Sequence, residues 1–570
     1  MTATRNGAGP APLNPLWRWV AGHPRTLLLI AVVGLLLPFC DKPFNLDDPL
    51  FVWTARQIQA HPADPYGFPV NWYGTVMPMA QVMQNPPLAG YYLAGAATVL
   101  GGSERSFHLT LLLPALAVIL GTYRLAEKLS RQPLLAALAA LSTPVFLISS
   151  TTVMCDVLML AFWVWTIIWW VEGLARNDYS RLCLAGFLAG LAALTKYFGL
   201  CLLPLLLVYS LIQARGMDRR LVCLLIPVGM FGAYEYLFLA QYGSEPLFAA
   251  AGYAGNIKAA GGVSLGGTGL TGLAFAGGCL AVAFFCAPAL WRPRVMASGA
   301  AIGGLAAGTV FWLGGYFDSY TGLAHALHTG LEIQIAIWAV GGIFVLLAMA
   351  GELSDRRDPV AWLLVLWLLG TFLFATFFNW TTNGRSLLPM APVMGILLAR
   401  QWDRISGERR RRAWIMAAGL AGSAGLGWFA ARADYQLANA VHDCALEICA
   451  KHAHVERPPW FQGHWGFQYY MEENGAEGLD LNNSILRPGD QLVIPGNNSN
   501  VIPPGDGKVN RVDRIDVNQS RWLATVSDEL GANFYSSQGG VLPFVFGHVP
   551  PESAVVCTLR PVESTSATVP

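Results

Sequence analysis

Charge is the scarcest commodity in this sequence. Of 570 residues, 36 are Lys or Arg and 35 are Asp or Glu, so 12% are charged where a soluble globular chain carries about 25%. That shortage excludes an ordinary soluble enzyme. The 54% hydrophobic content and mean hydropathy of +0.45 exclude a disordered chain. Cysteine is also sparse: 10 in 570 excludes a disulfide-built scaffold. There is no internal repeat and no low-complexity tract. The glycine pairs Gly261-Gly262 and Gly266-Gly267 form no phosphate-cradling pattern, so the chain shows no means of using a soluble nucleotide. The few charges are unevenly spread. Residues 432–570 hold 9 basic and 16 acidic residues, against 27 and 19 in the much longer stretch 1–431. This reads as an α-helical polytopic membrane protein with a C-terminal soluble α/β domain.

A membrane-crossing helix needs about 20 apolar residues. Thirteen windows qualify as spans: 26–42, 107–127, 133–149, 157–174, 182–197, 200–213, 220–241, 268–290, 296–317, 329–350, 360–379, 385–400 and 413–431. The apolar run 88–101 follows Pro86-Pro87 and is too short to cross, so it is expected to lie in the interface or re-enter. Lys and Arg in short loops set the orientation. With the N-terminus cytoplasmic, 21 basic residues fall inside, from Arg5 to the run Arg409–Arg412. Six fall on the opposite face: Lys42, Arg56, Arg105, Lys196, Lys258 and Arg385. The expected organisation is therefore a cytoplasmic segment 1–25, a membrane domain 26–431 and an extracytoplasmic domain 432–570. The first outside loop, 43–106, would carry interfacial helices. The first span, with 25 residues ahead of it and no small-residue cleavage site, reads as a signal anchor.

In the tail, residues 433–452 and 519–531 suit helices, 488–495 a strand entered by a turn, and 541–560 two short strands. Cys557 could pair with Cys444 or Cys449, or all three could be free thiols.

Sorting the polar residues by side of the membrane gathers the chemistry on the outer face. Asp48 followed by Pro49 suits a helix N-cap and first-turn proline, with a helix from 49 to about 60. Asp47 has no such structural role, and an acid beside Phe51, Trp53 and Trp72-Tyr73 is what a general base against a sugar hydroxyl needs. Asp156 stands between two apolar helices with no neighbouring base, a costly position unless paired or near water; capping of the following helix is the other account. Lys196 interrupts an apolar stretch, and Arg385 begins a span on the same face. Each is either a snorkelling anchor or a holder of phosphate. Glu235 and Glu332 suit substrate contacts or helix–helix hydrogen bonds. His325 and His328 suit metal binding only if a third ligand comes from elsewhere. The aromatic stretch Gln462–Tyr470 suits a sugar subsite or a packed core.

The residues that carry a family likeness are Leu46-Asp47-Asp48-Pro49-Leu50-Phe51, Asn85-Pro86-Pro87-Leu88 ahead of Ser103-Glu104-Arg105, Cys155-Asp156, Leu194-Thr195-Lys196-Tyr197 and Arg385-Ser386-Leu387-Leu388-Pro389. In order and sidedness they resemble the GT-C glycosyltransferases, closest to the protein O-mannosyltransferases and the bacterial lipid A aminoarabinose transferase. The resemblance covers residues 26 to about 400. It implies an enzyme of the bacterial inner membrane that moves a sugar from a polyprenyl-phosphate donor to a lipid, glycan or protein acceptor outside the cytoplasm. No cofactor, no metal and no nucleic-acid partner is implied; membrane lipids surround it. The family's acidic pair falls on Asp47 and Asp48, the first being the base, and its second acid on Asp156. The lipid phosphate would be held by Lys196 and Arg385, with Asn85, Arg105, Tyr197 and Glu235 as further substrate contacts. Two departures stand out. The pair is Asp-Asp rather than Asp-Glu, and Asn85 replaces the lysine of the aminoarabinose enzymes and the histidine of many relatives. The competing expectations are a transporter or flippase for a lipid-linked sugar and a non-catalytic membrane scaffold. The scaffold predicts that Asp47, Asp156, Lys196 and Arg385 scatter.

Overall fold

The structure, a computed structural model, describes residues 22–260, 264–313, 316, 328–354, 358–405, 409–452, 457–505 and 508–560. The His325–His328 pair lies outside the side chains described.

All thirteen expected windows are largely helical, but they are not thirteen equal spans. Among the described residues, eight helices are long and apolar enough to cross a membrane alone, including Glu104–Leu129, Asp156–Arg176 and Pro359–Phe378. The others are shorter or broken, each for a local reason. The window 133–149 divides into Pro133–Leu141 and Pro144–Ser149, because proline disfavours helical backbone at the residue before it. Thr143 turns that break into a cap, its hydroxyl accepting the Phe146 N–H at 3.3 Å. The window 268–290 divides into Leu265–Cys279 and Val282–Leu290, bent by 75°. Helix Leu88–Leu100 has 13 residues, about 20 Å, too short to cross. It lies against helix Asp48–Ala60, where a Cβ on Gly90 would meet Thr54 at 2.6 Å.

The two ends of the bundle are chemically distinct. At one end, Glu172 receives Lys128 at 2.8 Å, Arg124 at 3.2 Å and Arg181. Nearby, Arg400 donates to the Leu129 carbonyl at 2.8 Å and pairs with Glu352 at 2.7 Å, and Arg404 joins the same carboxylate. These are cations that the loop analysis put inside. The opposite end carries Asp47, Asp156, Lys196 and Arg385.

The last span and the first tail helix, expected as 413–431 and 433–452, are one helix, Arg409–His452, of 44 residues with no proline in it. Beyond it lies a five-stranded mixed sheet. Its central strand, Gln491–Pro495, runs antiparallel to Glu552–Leu559, which in turn pairs antiparallel with the edge strand Val509–Val517; on the other side Trp460–Phe461 adds parallel to Gln491–Pro495 and Glu477–Gly478 parallel to Trp460–Phe461. Helix Trp465–Glu473 packs between this sheet and the first outside loop. The strand expected at 488–495 is present, entered by a turn in which Gly489 takes φ +90°. The helix expected over 519–531 is absent. That stretch forms two-residue strands instead, Leu523–Ala524 pairing with Val545–Phe546 and Val526–Ser527 with Ala532–Asn533. The reason is burial on both faces: residues 523–527 are all buried in succession, which an amphipathic helix cannot achieve. Cys444, Cys449 and Cys557 are buried free thiols, so the disulfide alternative is not what the fold contains.

Candidate active site

The site is built where the first outside loop meets the next one. Leu46 is held at φ +50°, a region that side-chain-bearing residues occupy rarely, and this turn sets the direction of Asp47. Helix Asp48–Ala60 starts one residue earlier than Pro49 suggested. Asp48 is fully buried, and its carboxyl accepts the backbone N–H of Asn45 at 3.0 Å and of Val153 at 2.8 Å. It thereby staples the loop after the first span to the residues leading into Asp156. Burial outweighs the neighbouring Lys42 charge and pushes the Asp48 carboxyl up to about 7.

Asp156 opens helix Asp156–Arg176 and is 1% exposed. Lys196 sits at the break between Tyr179–Thr195 and Tyr197–Cys201, where extended backbone frees its side chain to reach Asp156 Oδ1 at 2.5 Å. Arg385 stands in the short turn Gly384–Leu387, fixed by Asn383, whose side chain accepts the Ser386 N–H at 2.8 Å. Its guanidinium donates to Asp47 Oδ2 at 2.8 Å, lies 4.0 Å from Asp156 Oδ2, and rests over the Tyr535 ring at 5.6 Å. Gly384 is required here: its N–H donates to the Phe534 carbonyl at 2.8 Å, and a Cβ would strike the Phe534 ring at 2.2 Å. Four side chains separated by up to 338 positions thus form one chain of charges, Asp47–Arg385–Asp156–Lys196, with a formal sum of zero. Two of its buried atoms, Asp156 Oδ2 and Arg385 Nε, have no hydrogen-bond partner among the described residues.

Asp47, Lys196 and Arg385 line a cavity of about 1030 Å³, together with Asn85 and Tyr197. One wall is apolar, from Leu200, Ala250, Phe374 and Phe378; another is supplied by the C-terminal domain, including His464, Trp465 and Tyr535. Of the expected site residues, Asp48 and Asp156 stand behind the lining. Arg105 is exposed, and neither it nor Glu235, in helix Leu225–Tyr242, is among the lining residues. In the stretch Gln462–Tyr470, His464 and Trp465 line the cavity while Phe467 and Tyr470 are buried. Asn497–Asn500, Asp528 and Asn533 carry no mark in the sequence that singles them out. Their only signal is that the tail is dense in asparagine, which any set of surface turns shares.

Behind this wall, Asp434 of the long helix is fully buried and accepts from Lys42 at 2.5 Å, from Thr525 at 2.9 Å and from the Tyr535 hydroxyl at 2.9 Å. The C-terminal domain also holds Glu552, whose carboxyl receives the amide of cavity-lining Asn497 at 3.4 Å. Burial lifts Glu552 from 4.5 to about 7, so the folded chain keeps a proton there that the unfolded chain releases. The stability this contributes is complete below pH 4.5 and is lost as pH rises through 7. Glu552→Gln is expected to flatten that part of a melting-temperature profile taken between pH 5 and 8; an unchanged slope would refute the burial account.

A polytopic bundle with a charged cavity beneath an extramembrane domain is the class that fold and site define. Residues 84–234 match the family described as dolichyl-phosphate-mannose-protein mannosyltransferase. That stretch includes Asn85, Arg105, Asp156, Lys196 and Tyr197 but not Asp47 or Arg385. No curated protein matches the chain. Among solved structures, the chain is similar to ArnT from Cupriavidus metallidurans bound to undecaprenyl phosphate (14% identity, 84% of this chain and 93% of that one, TM-score 0.48). It is also similar to the oligosaccharyltransferase AglB from Archaeoglobus fulgidus in complex with an inhibitory peptide and a dolichol-phosphate (13% identity, 82% and 65%, TM-score 0.48). A third is the arabinofuranosyltransferase AftD from Mycobacteria (14% identity, 94% and 40%, TM-score 0.43).

Proposed function

We propose that this protein is a membrane glycosyltransferase that moves a sugar from a polyprenyl-phosphate donor to an extracytoplasmic acceptor with inversion. The observation that carries this is the neutral chain Asp47–Arg385–Asp156–Lys196 on the floor of a cavity with one apolar, membrane-side wall. The family matched over 84–234 acts on the same class of donor. Residues 26–431 form the membrane part of a bacterial inner-membrane protein, with the N-terminus cytoplasmic and 432–570 outside. The 21-to-six division of basic residues supports this orientation.

The chemistry follows from charge balance. A polyprenyl-phosphate sugar carries one negative charge, and its phosphate leaves with two. Asp47 takes the acceptor hydroxyl's proton, the oxygen forms its bond to the anomeric carbon, and the bond from that carbon to the phosphate oxygen breaks. Protonation of Asp47 releases Arg385 from its 2.8 Å partner at the moment the departing phosphate gains charge. Lys196 remains tethered to Asp156, a fixed cation on the other side. Asp48 acts as a buried staple that positions Asp47, and the lipid tail lies along the apolar wall.

A transporter would need polar groups at a helix break near the midplane. The bent pair offers none, with Cys279, Leu280, Ala281 and Val282 fully buried and apolar, and the break that carries Lys196 lies at the end of the bundle that bears Asp47 and Arg385. A scaffold would leave the four charged residues dispersed, and they touch.

The test is donor consumption by the purified protein in liposomes, using a panel of radiolabelled polyprenyl-phosphate sugars with crude membranes as acceptor. Asp47-dependent loss of label from one lipid supports the proposal. Label that changes leaflet without leaving the lipid overturns it in favour of transport. Arg385→Lys is expected to lower kcat/KM about ten- to hundredfold, since an ammonium cannot span both carboxylates as the planar guanidinium does. Wild-type kinetics in that variant would remove Arg385 from the mechanism.

A further inference from the structure

The wall supplied by the C-terminal domain differs chemically from the cavity floor. It carries amides, hydroxyls and a single carboxyl, with no Lys or Arg among its described residues. Burial pushes the His464 imidazole down to about 4, so this wall holds no positive charge at neutral pH. Asp528, Asn500 and Gln538 are exposed to the cavity, and none of their side chains makes a hydrogen bond or ion pair among the described residues.

The same wall carries Trp465, held at φ +66°, a conformation that a bulky side chain avoids unless its surroundings impose it. The surroundings do impose it. The Asn498 side chain accepts the His464 N–H at 3.0 Å and donates to the His464 carbonyl at 3.0 Å, and the His464 ring meets the Ser499 carbonyl at 3.2 Å. The indole is thereby fixed against the cavity, its ring 4.7 Å from that of His464.

An aromatic plate flanked by groups that both donate and accept matches a sugar ring, which has a face of C–H groups and a rim of hydroxyls that also do both. A phosphate acceptor would require a cation that this wall lacks. An extended peptide would require a free strand edge, whereas here the outer edge of Ala532–Asn533 is taken by Leu542, and the outward Val526 carbonyl accepts the Asn497 amide at 3.5 Å.

We infer that this wall is the acceptor subsite, and that the acceptor is a neutral carbohydrate whose ring lies on Trp465 with one hydroxyl aimed at Asp47. The inference rests on the transferase reading and narrows its acceptor to one class. The hydroxyl oxygen becomes the bridging atom of a glycosidic bond; its proton goes to Asp47, and the bonding pair of the broken bond leaves with polyprenyl phosphate.

The linkage in the product tests this even while the acceptor is unidentified. Label transferred from the radiolabelled donor in crude membranes, once separated from residual donor, is treated with alkali and with mild acid. A product that resists both, and whose label carries no amino acid after exhaustive proteolysis, is glycosidic, the expected result; label left on Asn marks a peptide acceptor and overturns the inference. Release by alkaline β-elimination marks a Ser or Thr acceptor, release by mild acid a glycosyl phosphate, and either overturns the inference while leaving the transferase intact. Absence of any Asp47-dependent product overturns the transferase reading itself, and the inference with it. As a second measurement, Trp465→Ala should raise the half-saturating amount of acceptor about tenfold with the donor KM moving less than about twofold, and Trp465→Phe should recover most of that loss. Gln538→Ala, at an exposed and unbonded side chain, gives the same sign with no folding penalty. Unaltered acceptor saturation in these variants also overturns the inference.

Discussion

Asp47→Asn should insert and fold normally while turning over at least about a hundredfold more slowly, because general-base assistance is worth roughly 10²–10⁴ in rate. The substitution is nearly isosteric and keeps an oxygen for Arg385, which holds Asp47 at 2.8 Å, so the ion-pair geometry on the cavity floor survives. What disappears is the site for the acceptor's proton and, with it, the release of Arg385 toward the departing phosphate. Donor KM should therefore change little while kcat falls. The comparison is donor consumption at saturating donor, alongside a melting curve showing the variant intact. Near-normal turnover in a folded Asp47→Asn protein would end the assignment of Asp47 as the base.

The largest effect on stability is expected at Lys42, behind the cavity wall. Lys42 and Asp434 are 1% and 0% exposed and lie 2.5 Å apart. Removing one partner of such a pair strands a charge without water, at a cost of about 3–5 kcal/mol. Lys42→Met should therefore lower the melting temperature of the detergent-solubilised protein sharply. Neutralising both partners as Lys42→Met with Asp434→Asn should restore most of the loss, because the Asn oxygen still accepts from one of the Thr525 and Tyr535 hydroxyls while its amide donates to the other's oxygen. If the double variant is no more stable than the single, the penalty is one of packing and not of charge. Activity should follow, since the Tyr535 ring lies beneath Arg385 and its hydroxyl is anchored on Asp434.

The membrane bundle and the cavity floor could be read from the sequence for one reason: a charge beside an apolar helix is conspicuous and expensive. Asp156, Lys196 and Arg385 stand out on that ground alone, and counting loop charges puts them on one face with Asp47. Which of two adjacent acids faces the cavity was less legible. The Asp48-Pro49 pair reads as a cap, yet Asp48 is a buried staple to Val153, a contact across 105 positions that no local pattern encodes. The same limit hides Lys42–Asp434, with partners 392 positions apart. The stretch 519–531 has helical composition, and the unbroken burial of 523–527 turns its middle into strands. The roof was the least legible part, since Asn498 and Gln538 look in sequence like ordinary polar turn residues. Their meaning comes from standing opposite Arg385 and Asp47.

The helix Arg409–His452 has a mechanical consequence. At 1.5 Å per residue its 44 residues make a rod of about 66 Å, without a proline to bend it. It is pinned by Arg412 on the Ala289 carbonyl and by Asp434 on Lys42, and it packs against three strands of the outer domain. A rod so fastened allows no swivel where it leaves the bilayer: any rocking of the bundle carries the outer domain with it as a lever arm, and the clearance above the charged floor stays constant.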